Sequence, residues 1–414
     1  MSKAYDVIVA GGGSAGIAAA VGARRAGART LLIERGPCLG GAATLRNVVT
    51  YCGLYTRDDR EQAVFGVAGE MLDGLRELGA VTEPTRFTAV AVVFDPEAVK
   101  RVADDLCDAA GVDVLLHSHL LGASRVDDRV HEVRVADHSG VHTYRAEVFV
   151  DATGEADLAQ HAGAEVRYGN DGWVQNGTLG VRFGGIPASV EVSRETVREA
   201  VRAAKAAGAT GLSAETGLIA RMPVSGDLIT YLADEGYDAR DAADTSRAER
   251  SARRQAGAYL RVIRGIPGCE KAYIVSTGPE MGTRESRHLV GRAQLFEEDV
   301  LEPGPVGDAV AIGAWPIEYH PGPGVPSEWR FIGEPGYYGI PLDVLWSRNT
   351  PNLFCAGRTV DGDRGAGASL RAMGTAFATG HAAGVAAALA VWDGEVSAVT
   401  VREELQRQGA RLPG

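Results

Sequence analysis

Apolar and polar positions fall into blocks along this chain, and each block predicts an element. Tyr5-Asp6-Val7-Ile8-Val9-Ala10 is a short apolar run rich in β-branched residues and predicts a buried strand. Ile17 to Ala26 is alanine-rich and predicts a helix, and Arg29-Thr30-Leu31-Leu32-Ile33-Glu34 predicts a second strand that ends in an acid. Between Pro96 and Gly111, the residues Val99, Val102, Leu106 and Cys107 recur at helical spacing. Stretches at 112–117, 120–126, 130–136 and 143–151 predict strands. From about 165 to 335 the pattern changes. Gln175–Phe183 reads as a turn and strand, Thr196–Ala206 and Arg247–Ile263 as helices, and the polar stretch Asp241–Arg250 as a loop. Asn352–Arg358 then reads as strand and loop, and Gly365–Met373 leads into an alanine-rich helix over 374–390.

Composition narrows the class. Of 414 residues, 54 are glycine, about 13% where roughly 7% is usual, while the 45% hydrophobic content suits a large buried core. Length gives a soft expectation of two or three domains. The formal net charge is −12 and no Lys/Arg-rich run stands out, so a nucleic-acid partner is not expected. No apolar run is read as a membrane span, and the start Met1-Ser2-Lys3-Ala4 lacks a signal-peptide pattern, so a soluble, cytoplasmic protein is expected. Cys38, Cys52, Cys107, Cys269 and Cys355 form no CxxC pair and no cluster with zinc spacing, so neither a disulfide framework nor a metal site is expected.

The glycines cluster at 11–16, at 36–41 and from 357 to 384. The first cluster, Gly11-Gly12-Gly13-Ser14-Ala15-Gly16, follows a strand and opens a helix, and Glu34 ends the next strand eighteen residues after Gly16. This is the dinucleotide fingerprint in its full context. Gly11 permits the tight turn, Gly13 lets backbone approach a pyrophosphate, Gly16 permits helix–strand packing, and Glu34 is placed to accept a ribose hydroxyl. The motif alone leaves FAD and NAD open.

The second cluster, Arg35-Gly36-Pro37-Cys38-Leu39-Gly40-Gly41-Ala42-Ala43-Thr44, and the third, Ala356-Gly357-Arg358 with Leu370-Arg371-Ala372-Met373, change that. With them the chain resembles the FAD-dependent oxidoreductase family that has the glutathione-reductase-like flavin fold. The resemblance covers Val7–Thr44, Phe94–Asp157, Ala272–Val300, Pro316–His320 and Tyr338–Ala388. It implies an α/β fold: a three-layer FAD-binding domain with a β-meander and a discontinuous α+β substrate domain. The expected division is 1–164 and 336–395 for FAD, 165–335 for substrate, and a C-terminal helix and tail over 396–414. No histidine stands in the right place for a covalent flavin bond, so noncovalent FAD is expected. Arg35 and the Gly40–Thr44 loop would lie along the cofactor, Leu120 near adenine, and Ala152, Thr153, Gly154 and Asp157 in the second FAD motif. Gly357 and Arg358 would face the ribityl and phosphate side. The helix opening at Leu370, Arg371 and Met373 would aim its N-terminus at the flavin pyrimidine.

No second GxGxxG with strand, helix and acid follows, which argues against a built-in nicotinamide domain. By the same resemblance, Gly282-Thr283-Arg284-Glu285-Ser286-Arg287-His288 and Pro316-Ile317-Glu318-Tyr319-His320 would line the substrate. Arg284 is a candidate anion clamp or a partner in a local salt bridge with Glu285, and His320 a candidate base or a structural histidine. His288, Tyr337 and Tyr338 are candidate substrate contacts, with domain-junction packing the other reading of the tyrosine pair. The chain departs from the family pattern at His288, Glu318, Arg364, Gly374 and His381. The expected activity is hydride transfer between a small-molecule substrate, an anion among the candidates, and flavin N5, with oxygen or an electron carrier as reoxidant. An NAD(P)H-using monooxygenase or reductase, and a non-catalytic binding protein that keeps the fold, are the alternatives.

Overall fold

The computed structural model describes residues 4–305, 307–394 and 396–413; Met1–Lys3 of the opening stretch and Glu395 at the expected domain edge lie outside them. The molecule is mixed α/β. Its main sheet runs in the order Asp113–Leu115, Thr30–Ile33, Ala4–Ala10, Gly140–Asp151, with Leu353–Cys355 on the far side, and all these pairings are parallel. Such a sheet is covered on both faces, which is why its strands read as continuous apolar runs.

The strand Gly140–Asp151 serves two layers. Residues 145–151 pair parallel with Ala4–Ala10, and residues 140–145 pair antiparallel with Arg129–Asp137, which pairs in turn with His119–Val126. The meander therefore has three strands. The stretch expected as a strand over 112–117 is shorter and belongs to the parallel sheet, beside Thr30–Ile33.

The helix Ser14–Arg25 joins the first two parallel strands, and Met373–Asp393 lies along it. Their contact is backbone to backbone. A Cβ on Gly380 would stand 2.1 Å from the Ala15 carbonyl oxygen, and one on Gly384 would stand 2.0 Å from that of Ala19. Much of the third glycine cluster is thus explained by close helix packing. The same helix corrects the reading that no run reaches membrane-spanning length: Met373–Trp392 has 20 residues and a mean hydropathy of 1.3. Its interspersed Gly, Thr and His residues mask that in a plain scan, and most of it is buried against the helix and sheet it covers.

The helix Pro96–Ala110 forms as its pattern predicts. The Asp95 side chain accepts from the amides of Glu97 and Ala98, Pro96 opens the first turn, and Gly111 closes the end at φ +77°.

A second core of buried apolar residues lies between Leu179 and Met281. A four-stranded antiparallel sheet builds it, in the order Ile219–Arg221, Leu228–Glu235, Gly177–Gly184, Tyr273–Thr277. The helix Ala242–Arg264 packs on that sheet and Arg194–Ala206 packs on the helix. This core is narrower than the 165–335 stretch, because Leu289, Val300, Val310 and Ile317 pack into the large core instead. The expected loop Asp241–Arg250 is the first turns of a helix. Asp241 caps it by accepting from the Ala243 amide, and its polar residues face water. The arginines at 250, 253, 254, 261 and 264 are exposed, a solvated face.

Candidate active site

Three cavities adjoin at the carboxyl ends of the parallel strands, with volumes of about 500, 120 and 450 Å³. Glu34, Arg35, Thr153 and Glu280 line both the first and the second. Ala42, Arg358, Arg371 and Met373 line both the second and the third. Arg46 lines all three, so the voids trace one elongated path. This is the crevice outside the strand ends where open α/β sheets bind ligands.

The glycines make the middle cavity. Gly11 sits at φ +99°, and a Cβ there would stand 2.3 Å from the Ala152 carbonyl oxygen. Gly16 is pressed on Gly11, where a Cβ would stand 1.6 Å from its carbonyl oxygen. Gly13 differs: the nearest atom to an added Cβ is the Gly41 Cα at 3.8 Å. The helix that Gly13 caps has no side-chain cap, so the amides of its first turn are left for a ligand.

Three residues that line the same path carry buried polar atoms without hydrogen-bond partners: Ser14 Oγ, Arg358 Nη1 and Arg371 Nε. An uncapped helix N-terminus, an open glycine face and idle arginine and hydroxyl donors suit a pyrophosphate. The residues present therefore fit a dinucleotide cofactor.

Gly11, Gly13, Ser14 and Ala15 line the middle cavity, as do Gly41 and Ala42 from the second cluster. Ala152, Thr153 and Gly154 meet Gly357 and Arg358 across it. Leu120 and Asp157 line the first cavity, where Asp157 also pairs with Arg287 at 3.1 Å. Glu34 is placed between the two cavities, but its carboxylate already accepts from the amides of Gly12 and Gly36 at 2.6 Å each.

Five residues expected to touch the cofactor stand behind the wall. Gly16 is a packing position. The Gly40 amide donates to the Gly12 carbonyl, the Thr44 hydroxyl donates to the Leu39 carbonyl, and Ala43 and Leu370 are buried in the core. They shape the loops that form the path.

The third cavity lies between the two cores. Arg284 and His320 both line it. Arg284 makes no ion pair among the described residues. Its Nη1 donates to the Asn176 carbonyl at 2.8 Å and to Thr178 Oγ1 at 2.7 Å. Glu285, the expected salt-bridge partner, turns away to His288 Nε2 at 3.3 Å, to Asn170 and to the Gln175 amide. Burial and the like charge of Arg371 bring the Arg284 guanidinium down to about 10, so it stays charged at neutral pH.

His320 Nε2 lies 3.3 Å from Glu318 Oε1 but out of hydrogen-bonding line, and it has no hydrogen-bond partner; Nδ1 meets the Ser327 hydroxyl at 3.1 Å. Burial, then the Arg284 charge, lowers the imidazole to about 4, so it is neutral at pH 7. Burial pushes the Glu318 carboxyl up, but contact with His320 and the nearby Arg371 and Arg284 guanidinium groups outweigh that and hold it well below the usual range. Glu318 is tied to Arg371 Nη2 at 3.3 Å and to the Trp315 indole N–H at 3.3 Å.

Three expected substrate contacts are corrected. His288 is buried, its Nδ1 against the Val360 carbonyl at 2.9 Å, and it does not line the cavity. Tyr338 is buried with its hydroxyl on Ser369 Oγ at 2.6 Å, and Tyr337 packs on Ala63, Ile312 and Ala314. Both tyrosines are packing residues.

Several lining residues went unrecognised in the sequence: Arg46, Arg194, Tyr231, Asp234, Trp315 and Trp329. Arg46 carries a faint signal, a charge next to the apolar end of the glycine loop. Tyr231 and Asp234 share the strand Leu228–Glu235 and the others come from different parts of the chain; none carries a signal.

A family model described as FAD dependent oxidoreductase matches residues 6–408. A digeranylgeranylglycerophospholipid reductase from Thermoplasma volcanium is 27% identical over 169 residues, 39% of this chain and 42% of the relative, so the match spans under half of that protein. CabE, an aromatic hydroxylase from angucycline biosynthesis, superposes with a TM-score of 0.53 at 13% identity, covering 98% of this chain and 66% of that one. BexE, connected with oxidation during a biosynthesis, superposes at 0.51 with 15% identity and the same coverages. These likenesses concern the fold. The family match covers nearly the whole chain, and with it FAD as cofactor: the chain belongs to the FAD dependent oxidoreductase family.

Proposed function

We propose that this flavoenzyme oxidises or reduces an anionic small molecule held in the 450 Å³ cavity, with Arg284 as the anion clamp and His320 as the acid/base. One observation carries the reading: Arg284, whose guanidinium has no carboxylate partner, and His320, whose buried Nε2 makes no hydrogen bond although Glu318 Oε1 stands 3.3 Å away, line the same cavity, beside the flavin end of the cofactor path. FAD, when bound noncovalently along that path in a glutathione-reductase-type layout, supplies the two-electron acceptor or donor for hydride exchange.

The chain's own residues do the rest. Arg284 keeps one edge of its fork for the substrate, because Asn176 and Thr178 hold Nη1 and fix the plane. In the oxidative direction His320 Nε2 takes the proton from a substrate O–H or N–H. It is neutral and desolvated, so no proton must first be removed. Glu318 is a positioning residue: it holds Arg371 at the cofactor side and stands beside His320. Trp315 and Trp329 give the cavity an apolar wall and exclude water.

The test is anaerobic mixing of the oxidised holoprotein with a panel of small hydroxy acids, amino acids and carboxylates. Bleaching of the flavin's visible absorbance by an acid, and its loss on blocking the carboxylate as an ester, supports the reading. Rapid bleaching by NADPH without substrate, with none by any acid, overturns it in favour of a nicotinamide-using enzyme.

A further inference from the structure

The charge lining the substrate cavity does not match the charge of the molecule. The chain carries a formal −12, yet five arginines and two carboxylates line this cavity. Three of those arginines have other duties. Arg46 and Arg358 also line the cofactor path and pair with Glu155, and Arg371 is tied to Glu318. Of the two carboxylates, Glu318 is engaged by Arg371, and Asp234 is engaged by Ser213, by Asn176 and by the Gly324 amide. That leaves two arginines that form no ion pair among the described residues, Arg284 and Arg194.

Arg194 opens the helix Arg194–Ala206 and is exposed, but it is not a loose surface side chain. Its Nε donates to Thr216 Oγ1 at 2.6 Å and its Nη1 to Thr88 Oγ1 at 3.4 Å, and both threonines line the cavity too. The guanidinium is therefore held between two separate segments of the cavity rim. Its Nη2 edge makes no hydrogen bond among the described residues. Arg284 sits at the half-buried inner end beside Glu318 and His320. Ala89, Ala91, Ile219, Trp315 and Trp329 supply apolar lining. Two guanidinium groups that form no ion pair among the described residues, with apolar wall in one void, form a complementary pattern for a ligand charged at two places.

We propose that the substrate is a dianion with an apolar body: one anionic group on Arg284 beside His320, a second on Arg194 at the rim, and an aromatic or aliphatic middle against the tryptophans. This rests on the reading of Arg284 above. It makes Arg194 a determinant of specificity, because only a molecule with a second negative charge gains from it.

The test is equilibrium binding to the holoenzyme, read by quenching of tryptophan fluorescence and by perturbation of the flavin spectrum. The probes are phenylacetate against 1,4-phenylenediacetate, and octanoate against octanedioate. The dianion of a pair is expected to bind about tenfold more tightly than its monoanion, the size of one charge-assisted contact. In Arg194→Gln that advantage disappears, and in wild type it shrinks as salt rises, because the rim is exposed to solvent. Arg284→Gln is expected to weaken both members of a pair. Equal binding of both members of each pair by the wild type overturns the dianion proposal while leaving the Arg284 reading in place. So does an Arg194→Gln variant that keeps the dianion advantage. Failure of all four probes to bind overturns both.

Discussion

In the proposed mechanism the chemistry turns on His320. Its imidazole is brought down to about 4 from the ordinary 6.5 by burial and by Arg284. Replacing it with Gln is expected to slow flavin reduction by about 10²-fold, as measured by stopped-flow with the identified substrate. In wild type the rate is expected to be level across neutral pH and to fall as the pH drops through about 4, where the base takes up a proton. The same shift has a sign for stability. As pH falls below 6.5, the unfolded chain gains a proton at this site before the folded one does, so stability is lost between 6.5 and about 4. His320→Gln removes that contribution, and thermal melts at the two ends of the window should lie closer together. For Arg284, the variant to Gln is expected to raise KM for an acidic substrate by about tenfold or more, and Lys should restore it only in part, because a point charge lacks the fork. A change in melting temperature with unchanged KM would return Arg284 to a structural role. The sequence left both residues with two readings, because their partners are remote. Arg284 is held by Asn176 and Thr178, more than a hundred positions earlier in the chain, and Glu285 next to it goes to a different set of groups.

At the scale of the element, the glycines divide into two kinds that a count cannot separate. Gly11, Gly16, Gly380 and Gly384 face protein backbone at distances that admit no side chain. Gly13 has room for one, its nearest neighbour being the Gly41 Cα at an ordinary contact distance of 3.8 Å. Gly380→Ala is therefore expected to destabilise the fold by about 1–3 kcal/mol through overpacking, despite the helix propensity that alanine adds. The readout is chemical denaturation. Gly13→Asp is expected to leave the apoprotein's melting temperature nearly unchanged and to abolish FAD binding, since its carboxylate would enter the space in front of the helix N-terminus. Normal flavin content in that variant would remove the pyrophosphate from this place. Helix ends followed their local signals closely at Asp95 and Gly111. They failed at Asp241, where a polar run was read as loop. Capping by the Asp241 side chain and burial of Ala248 and Ala252 made it helix.

For the whole molecule, the proposed cofactor path runs from the carboxyl ends of the parallel strands to the space between the two cores, so cofactor binding should stabilise the fold as a unit. FAD at a hundredfold excess over its Kd is expected to add about 2.7 kcal/mol, visible as a higher melting temperature than the apoprotein's. The large core takes in residues from both ends of the chain and also from 289–317, which the sequence pattern had grouped with the substrate region. Strand pairing explains the difference: Ala309–Gly313 pairs with Tyr338–Pro341 and packs beneath Met373–Asp393.

By itself the sequence determined the dinucleotide unit, the FAD family and the shape of the cofactor loops. The dinucleotide unit rests on local sterics: a tight turn needs glycine at Gly11, close backbone needs it at Gly16, and an uncapped helix start leaves amides for an anion, whereas FAD came from the family resemblance. The tertiary structure alone decided the substrate cavity. Arg46, Arg194, Tyr231, Arg284, Trp329 and Arg371 come from separate segments, and no spacing along the chain encodes which of them share a wall. It also decided which charges are free, because an arginine is idle or engaged according to what long-range packing brings beside it, not according to its neighbours in sequence.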